Sequence, residues 1–106
     1  MPDAVQFGLD TFGDVTLDDA GRPLPHAQVL RDLVEQAEVA DATGVDAFGV
    51  GEHHRDDYAV SAPEVVLAAI AGRTRRILLG SAVTVLSSDD PVRVYERFAT
   101  LDGLSG

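Results

Sequence analysis

The chain has 106 residues, of which 18 are Asp or Glu and 8 are Lys or Arg, so its formal net charge is −10. This length allows one modest hydrophobic core, and therefore one domain or part of one. The negative charge repels nucleic-acid phosphates and anionic lipids, so neither nucleic acid nor a membrane is an expected partner. The absence of cysteine excludes disulfides, thiolate metal sites and a cysteine nucleophile within the chain. Because the sequence shows no signal-peptide pattern and no apolar stretch of bilayer length, we expect a cytoplasmic protein.

Short apolar runs and helical patterns alternate along the chain. The apolar runs have strand length, and the helical patterns place apolar residues three and four positions apart, with charged residues between them. The predicted strands cover about residues 5–9, 47–50 and 77–83, and the predicted helices cover about residues 26–43, 63–73 and 91–105. Because each strand precedes a helix, the pattern predicts an α/β fold of three consecutive βα units with parallel strands and right-handed crossovers.

Local signals indicate several helix ends. Gly44 follows the first helical pattern, at the position where a left-handed residue commonly ends a helix. Before the second helix, Ser61 and Glu64 have the spacing of a capping box. Before the third helix, Asp90 is followed by Pro91, which is typical of an N-cap and a first-turn proline.

The segments that follow the predicted strands are longer than those that follow the predicted helices. The strand-to-helix segments cover residues 10–25, 51–62 and about 87–90. In parallel α/β folds, ligands bind at the carboxyl ends of the strands. We therefore expect the functional site among these segments, where Glu52, His53 and His54 directly follow the second strand.

The Glu-His-His stretch allows three interpretations. A metal site is disfavoured because adjacent side chains of an extended chain point to opposite faces, and His26 is the only other imidazole. A dinucleotide site is rejected because the Gly-Val-Gly at residues 49–51 lacks a third glycine at the start of a helix. An acid/base site needs one imidazole directed into the mouth of the sheet, which one of two adjacent histidines satisfies. The alternative is that both histidines cap the strand and bind loop backbone.

Three motifs follow one another in a specific combination. They are Glu-His-His at residues 52–54, Gly-Ser-Ala at residues 80–82 and Asp-Pro-Val-Arg at residues 90–93. With the sequence around them, from VQFGLDTFG to the last glycine, they resemble the N-terminal part of the bacterial luciferase-like flavin-dependent oxidoreductases. The resemblance implies the N-terminal portion of a (β/α)8 TIM barrel, a fold that takes ~250 residues. On that basis we expect the chain to be an N-terminal fragment or a truncated gene product.

The resemblance also implies roles for individual residues. His53 matches the catalytic acid/base of the luciferase-like members, and Glu52 matches a position that contacts the isoalloxazine ring of the flavin. Ala82 and Val83 match the residues on either side of a non-prolyl cis peptide bond that supports the ring. The segment 10–25 is expected to form part of the substrate pocket.

The function that the resemblance implies is flavin-dependent monooxygenation, in which reduced flavin and O2 act on an unknown organic substrate. FMN is the expected cofactor, reduced by a partner reductase or by NAD(P)H, and a homodimer is expected for the full-length protein. Three alternatives stay open: hydride transfer from a deazaflavin, a noncatalytic flavin-binding or interaction subunit, and a truncated remnant. The isolated chain is expected to hold flavin poorly, since most phosphate-binding residues of the family come from later strands and loops.

Overall fold

The computed structural model describes residues 4–106, in which three parallel strands alternate with three α-helices. The strands are β1 (Gly8–Thr11), β2 (Ala47–Val50) and β3 (Leu78–Ser81), and the helices are α1 (His26–Thr43), α2 (Pro63–Ala71) and α3 (Pro91–Ser105). The strands pair in parallel in the order β1-β2-β3, and a short 3-10 helix precedes α3. The prediction of three consecutive βα units with parallel strands, as in the N-terminal portion of a (β/α)8 barrel, is confirmed.

The first strand was predicted too early in the chain, since it begins at Gly8 and not at residue 5. Gly8 pairs with Ala47, the first residue of β2, so residues 4–7 precede the paired part of the sheet. Phe7 instead bonds to the connection before β2. Its N–H donates to the Asp46 carboxylate at 2.9 Å, and its carbonyl accepts from the Asp46 N–H at 2.9 Å. An apolar run therefore located the strand only approximately, because the partner strand sets where pairing begins.

The third strand and the second helix are both shorter than predicted. β3 ends at Ser81 instead of residue 83, because its partner β2 ends with Val50, opposite Ser81. α2 ends at Ala71 instead of residue 73. After α2 the Thr74 hydroxyl donates to the Ile70 carbonyl at 2.9 Å, which satisfies one of the last carbonyls of the helix.

A single carboxylate fixes the connection from α2 to β3. Asp41, in the last turns of α1, accepts hydrogen bonds from the backbone N–H groups of Arg75, Arg76 and Ile77 at 3.1, 3.1 and 2.8 Å. These hydrogen bonds, above all the one from Ile77, hold the pKa of Asp41 below its ordinary value of 3.8. The residues that follow α2 are therefore held against α1 in a non-helical conformation.

Two of the three predicted helix ends are confirmed. Gly44 adopts a left-handed conformation with φ of 93° at the end of α1. The Asp90 side chain caps α3 and accepts from the Val92 N–H at 2.8 Å. The predicted capping box at Ser61 is wrong, because the N-cap residue of α2 is Ala62 and no side chain caps it. Pro63 is the first residue of α2, so Ser61 lies one position too early to cap the helix.

The hydrophobic core lies between the sheet and the helices α1 and α2. Phe48 and Val50 of β2 are 4% and 0% exposed and face these helices. The other buried members of the core are Leu33, Val34, Ala37, Ala40, Val60, Val66, Leu67, Ile70 and Ile77. α3 packs against α2 through the partly buried Phe98 and Leu101. Within residues 4–106, no helix is long and apolar enough to cross a membrane.

The opposite face of the sheet, here called the inner face, carries mostly small residues. By strand alternation and register, it consists of Gly8, Asp10, Ala47, Gly49, Leu78 and Gly80. Asp10 is the one charged residue among them. A Cβ atom at Gly49 would lie 2.1 Å from Asp10 Oδ1 and 3.1 Å from the Ala82 Cβ. Glycine at position 49 therefore makes room for the Asp10 side chain above the middle of the sheet.

Candidate active site

The carboxyl ends of the three strands meet at Gly51. Its N–H donates to the Thr11 carbonyl at 2.8 Å, and the Ala82 N–H donates to the Val50 carbonyl at 2.8 Å. Gly51 and Ala82 are therefore bonded to the last residues of the neighbouring strands. A Cβ atom at Gly51 would lie 3.1 Å from the Ala82 carbonyl oxygen, 3.1 Å from Phe12 Cδ1 and 3.3 Å from His53 Cε1. The side chains of Phe12 and His53 and the backbone carbonyl of Ala82, one from each strand end, therefore converge on Gly51.

The His53 ring lies at this convergence point, between two aromatic side chains. It stacks on Tyr58, with a centroid distance of 4.0 Å and an interplanar angle of 14°. Phe12 approaches it edge-on, at 5.4 Å and 65°. The Nδ1 atom of His53 is buried and has no hydrogen-bond partner within residues 4–106. Of the two ring nitrogens, Nε2 is thus the one available to a bound molecule.

The segment after β1 and the segment after β2 are tied together beside His53. The Ala59 N–H donates to the Gly13 carbonyl at 2.7 Å, and the His53 N–H donates to the Val60 carbonyl at 2.9 Å. Gly13 has a φ of 65°, and a Cβ atom there would lie 2.5 Å from Val60 Cγ2. Only glycine satisfies both the left-handed conformation and the close approach of Val60. The two loops therefore form one unit that carries Phe12 on one side and His53 on the other.

Glu52 is paired with His54 and lies on the other side of the chain from His53. Its side chain is 6% exposed, and its Oε2 atom lies 2.7 Å from His54 Nε2. Its Oε1 atom accepts a hydrogen bond from the Val85 N–H at 3.3 Å. Glu52 and His54 can bind each other because residues two apart in extended chain share a side. Through the Val85 N–H, Glu52 also links the loop after β2 to the segment after β3.

The peptide bond between Ala82 and Val83 is cis, as predicted. Ser81 and Thr84, on either side of it, form a hydrogen bond between their hydroxyl groups at 2.7 Å. The Val83 side chain is 73% exposed. This segment reaches the carboxyl end of β2 beside Gly51, so the structure brings Ala82 close to His53.

Two aromatic residues of the site, Phe12 and Tyr58, were missed by the sequence reasoning. Each is a single aromatic residue in an irregular loop, where no periodicity predicts the direction of a side chain. No group of three or more His, Asp or Glu side chains in residues 4–106 is arranged to hold a metal ion. His53 and His54 diverge, since one contacts Tyr58 and the other Glu52.

The space above the inner face is open and mostly apolar. A depression of about 250 Å³ lies over it, lined in part by Asp10, Gly49, Gly80 and Ala82. A Cβ atom at Gly80 would meet nothing within 4 Å, so the space above β3 is open. The small residues of this face, with the His53 ring near Gly51 at the carboxyl ends of the strands, leave room for a flat ring such as that of a flavin. The residues present therefore fit the cofactor that the resemblance implies.

The fold and the site place the chain among the (β/α)8-barrel proteins, whose sites lie at the carboxyl ends of the strands. A model of the luciferase-like monooxygenase family matches residues 11–106. The chain belongs to this family.

One relative and one solved structure show the degree of similarity. The 4-hydroxyprotoasukamycin monooxygenase of Streptomyces nodosus subsp. asukaensis is 42% identical over 83 residues, which cover 77% of this chain and 22% of that protein. The crystal structure of apo-MsnO8 has 34% identity and a TM-score of 0.83, and the match covers 96% of this chain and 30% of that one. The chain thus spans less than a third of the length of either protein.

Two more distant structures share the fold. The oxygenating constituent of 3,6-diketocamphane monooxygenase from Pseudomonas putida, in complex with FMN, has 23% identity and a TM-score of 0.80, covering 96% of this chain and 27% of that one. The coenzyme F420-dependent tetrahydromethanopterin reductase of Methanopyrus kandleri has 23% identity and a TM-score of 0.74, covering 98% and 25%. At 23% identity, these two similarities show a shared fold and nothing more.

Proposed function

We propose that this chain carries the acid/base residue and part of the flavin site of a flavin-dependent monooxygenase, in which reduced FMN and O2 oxygenate an organic substrate. The observation that carries the proposal is the position of His53. It lies at the carboxyl ends of the strands, next to the cis bond at Ala82 and beside an open floor of small residues. The membership of the chain in the luciferase-like monooxygenase family supports it.

Each residue has a distinct role in this proposal. His53 holds or accepts a proton at Nε2, since its Nδ1 atom is buried. Ala82 and Val83 contact the flavin ring. Glu52 supports the flavin contact by holding the segment after the cis bond through the Val85 N–H. The bound flavin supplies the redox chemistry, while the protein positions the reactants and moves protons.

This arrangement leaves little freedom for Glu52 to contact the flavin directly. Both of its carboxylate oxygens already have partners, His54 Nε2 and the Val85 N–H, and its side chain is nearly buried. A contact between Glu52 and the ring would therefore use a free lone pair of an oxygen that is already bonded. The support of residues 82–85 is the main contribution that we assign to it.

A second candidate function is hydride transfer with a deazaflavin. It is supported by the similarity of the fold to a coenzyme F420-dependent reductase, with a TM-score of 0.74. A noncatalytic flavin-binding subunit is the third candidate, in which His53 has no role in turnover.

The test uses the intact protein that carries this chain. Oxygen consumption is measured with reduced FMN, and the oxidation of reduced deazaflavin is followed by its absorbance, for the parent protein and for His53→Ala. We expect consumption with reduced FMN and a loss of about 10²- to 10⁴-fold in kcat for the variant, the range for general acid–base catalysis. His26→Ala is the matched control, since His26 is an exposed imidazole that bonds to the Asp56 carbonyl.

The outcomes separate the candidates. Turnover with reduced deazaflavin and not with reduced FMN would favour the second function. Flavin binding without turnover of either cofactor would favour the third. Unchanged turnover of His53→Ala would remove the acid/base role of His53.

We also propose that the intact protein is a homodimer. The helices α2 and α3 expose large apolar side chains, with Val65 65%, Tyr95 74% and Leu104 80% exposed. A second copy would bury this surface. Light scattering coupled to size exclusion measures the mass directly, and a monomer at micromolar concentration would contradict the proposal.

A further inference from the structure

We propose that Tyr58 is a positioning residue for His53: its ring, with that of Phe12, fixes the orientation of the imidazole and so directs Nε2 into the site. This inference rests on the proposed function, because it names a residue that acts through the acid/base group. It goes beyond that function, since neither aromatic residue belongs to the Glu-His-His stretch.

Within residues 4–106, no hydrogen bond at Nδ1 orients the His53 ring. A catalytic histidine commonly donates or accepts at the nitrogen that does not react, and a carboxylate or a backbone carbonyl holds it there. In residues 4–106, His53 Nδ1 is buried without such a partner. The nearly buried carboxylate of Glu52, the residue before His53, is bound by His54 and by the Val85 N–H instead. The orientation of the His53 ring must therefore come from packing.

Two aromatic rings pack against the His53 imidazole from different directions. Tyr58 lies face to face with the imidazole at 4.0 Å and 14°, so it prevents the ring from tilting toward that side. Phe12 meets the imidazole at 65°, so it limits rotation in the other direction. A stacked ring and an edge-on ring together leave one orientation of the imidazole plane.

Backbone contacts hold the segments that carry Tyr58 and Phe12. Tyr58 pairs through its backbone with Asp14, and its neighbour Ala59 donates to the Gly13 carbonyl at 2.7 Å. Phe12 directly precedes Gly13. The Arg55 guanidinium lies over the Tyr58 ring, at 5.7 Å from its centroid. Tyr58 therefore has contacts besides His53 that help to hold it in place.

The experiment is a double-mutant cycle in the intact protein that carries this chain. The variants are Tyr58→Leu, Tyr58→Phe, His53→Ala and the combination of Tyr58→Leu with His53→Ala. The measurement is oxygen consumption with reduced FMN, resolved into kcat and the KM for reduced FMN. We expect Tyr58→Leu to lower kcat by up to about 10²-fold, the loss that a misplaced catalytic group can cause, with little change in KM. Tyr58→Phe keeps the stacked ring, so we expect it to retain the parent kcat.

The combined variant distinguishes positioning from general structural support. If Tyr58 acts through His53, Tyr58→Leu lowers kcat no further once His53 is alanine. An equal loss in both backgrounds would overturn the positioning role, and so would parent-level kcat for Tyr58→Leu. Parent-level kcat for His53→Ala would overturn the proposed function and this inference together, whereas the other two outcomes overturn this inference alone.

A second measurement does not depend on turnover. The His53 ring protons, observed by NMR after selective labelling of histidine and assigned with His53→Ala, lie over the face of Tyr58. We expect an upfield displacement of these resonances that Tyr58→Phe preserves and Tyr58→Leu removes. Resonances that are the same in Tyr58→Leu as in the parent would show that the rings do not stack in solution, which overturns the proposal even where a variant is too unstable to assay.

Discussion

The contact between Gly13 and Val60 gives a quantitative prediction for Gly13→Ala. Gly13 has a φ of 65°, and an alanine in this left-handed conformation costs about 1–2 kcal/mol. The new Cβ atom would also lie 2.5 Å from Val60 Cγ2 and 3.2 Å from Val60 Cβ. Val60 is 1% exposed, so its side chain has no free space to move into, and overpacking of this kind costs about 1–3 kcal/mol. The expected loss in the free energy of unfolding is therefore about 2–5 kcal/mol.

Gly21→Ala is the matched control for this prediction. Gly21 has a φ of 76°, but a Cβ atom there would meet nothing within 4 Å. Gly21→Ala should therefore lower the free energy of unfolding only by the cost of the left-handed conformation, about 1–2 kcal/mol. The difference between the two variants then isolates the contact with Val60.

The assay is equilibrium unfolding in urea of the intact protein that carries this chain, with both variants measured against the parent. Equal losses for Gly13→Ala and Gly21→Ala would refute the reasoning, because they would mean that Val60 does not constrain position 13. A second check is the background of Val60→Ala, in which Gly13→Ala should cost less since Cγ2 is absent.

Two further predictions concern carboxylates that bind backbone N–H groups. The pKa of Asp41 is lowered by its hydrogen bonds from Ile77, Arg75 and Arg76, so its contribution to stability is complete above its ordinary pKa of 3.8 and is lost as the pH falls through the lower pKa of the folded state. We expect Asp41→Asn to reduce the loss of stability over this range, measured as urea midpoints against pH; an unchanged pH dependence would contradict this. Glu52→Ala leaves the Val85 N–H without its acceptor, at a cost of about 1–3 kcal/mol, so hydrogen exchange at that amide should become faster than in the control His54→Ala, and equal rates would refute the link.

The sequence predicted the fold class because its signals are local and repeated. The first helix shows its apolar side at three- and four-residue spacing and ends at Gly44, where a left-handed conformation is required, and both features agree with the structure. Asp90 before Pro91 predicted the start of α3 for the same reason, since the capping atoms and the capped N–H groups are neighbours in sequence. The cis bond before Val83 was predicted from the family resemblance, because no local pattern distinguishes it from a trans bond.

The strand limits needed the tertiary structure, because a strand ends where its partner ends. Val5 and Phe7 belong to the apolar run, yet they are 77% and 71% exposed and precede the paired residues. The position of β2 decides which residues of the run join the sheet. Ser61 shows a related limit: its spacing to Glu64 is correct for a capping box, but the residue before a proline is kept out of the helical conformation, so Ala62 becomes the N-cap and the helix starts at Pro63.

By itself, the sequence determined that Glu52, His53 and His54 follow a strand and that the two histidines face opposite ways. Alternation along an extended chain is a property of the backbone, so it holds in any fold. Only the tertiary structure decided the neighbours of each side chain, with Glu52 beside His54 and the Val85 N–H, and with His53 between Phe12 and Tyr58. The physical reason is that these contacts join segments from three different strand ends, and their positions depend on how the sheet and its loops pack together.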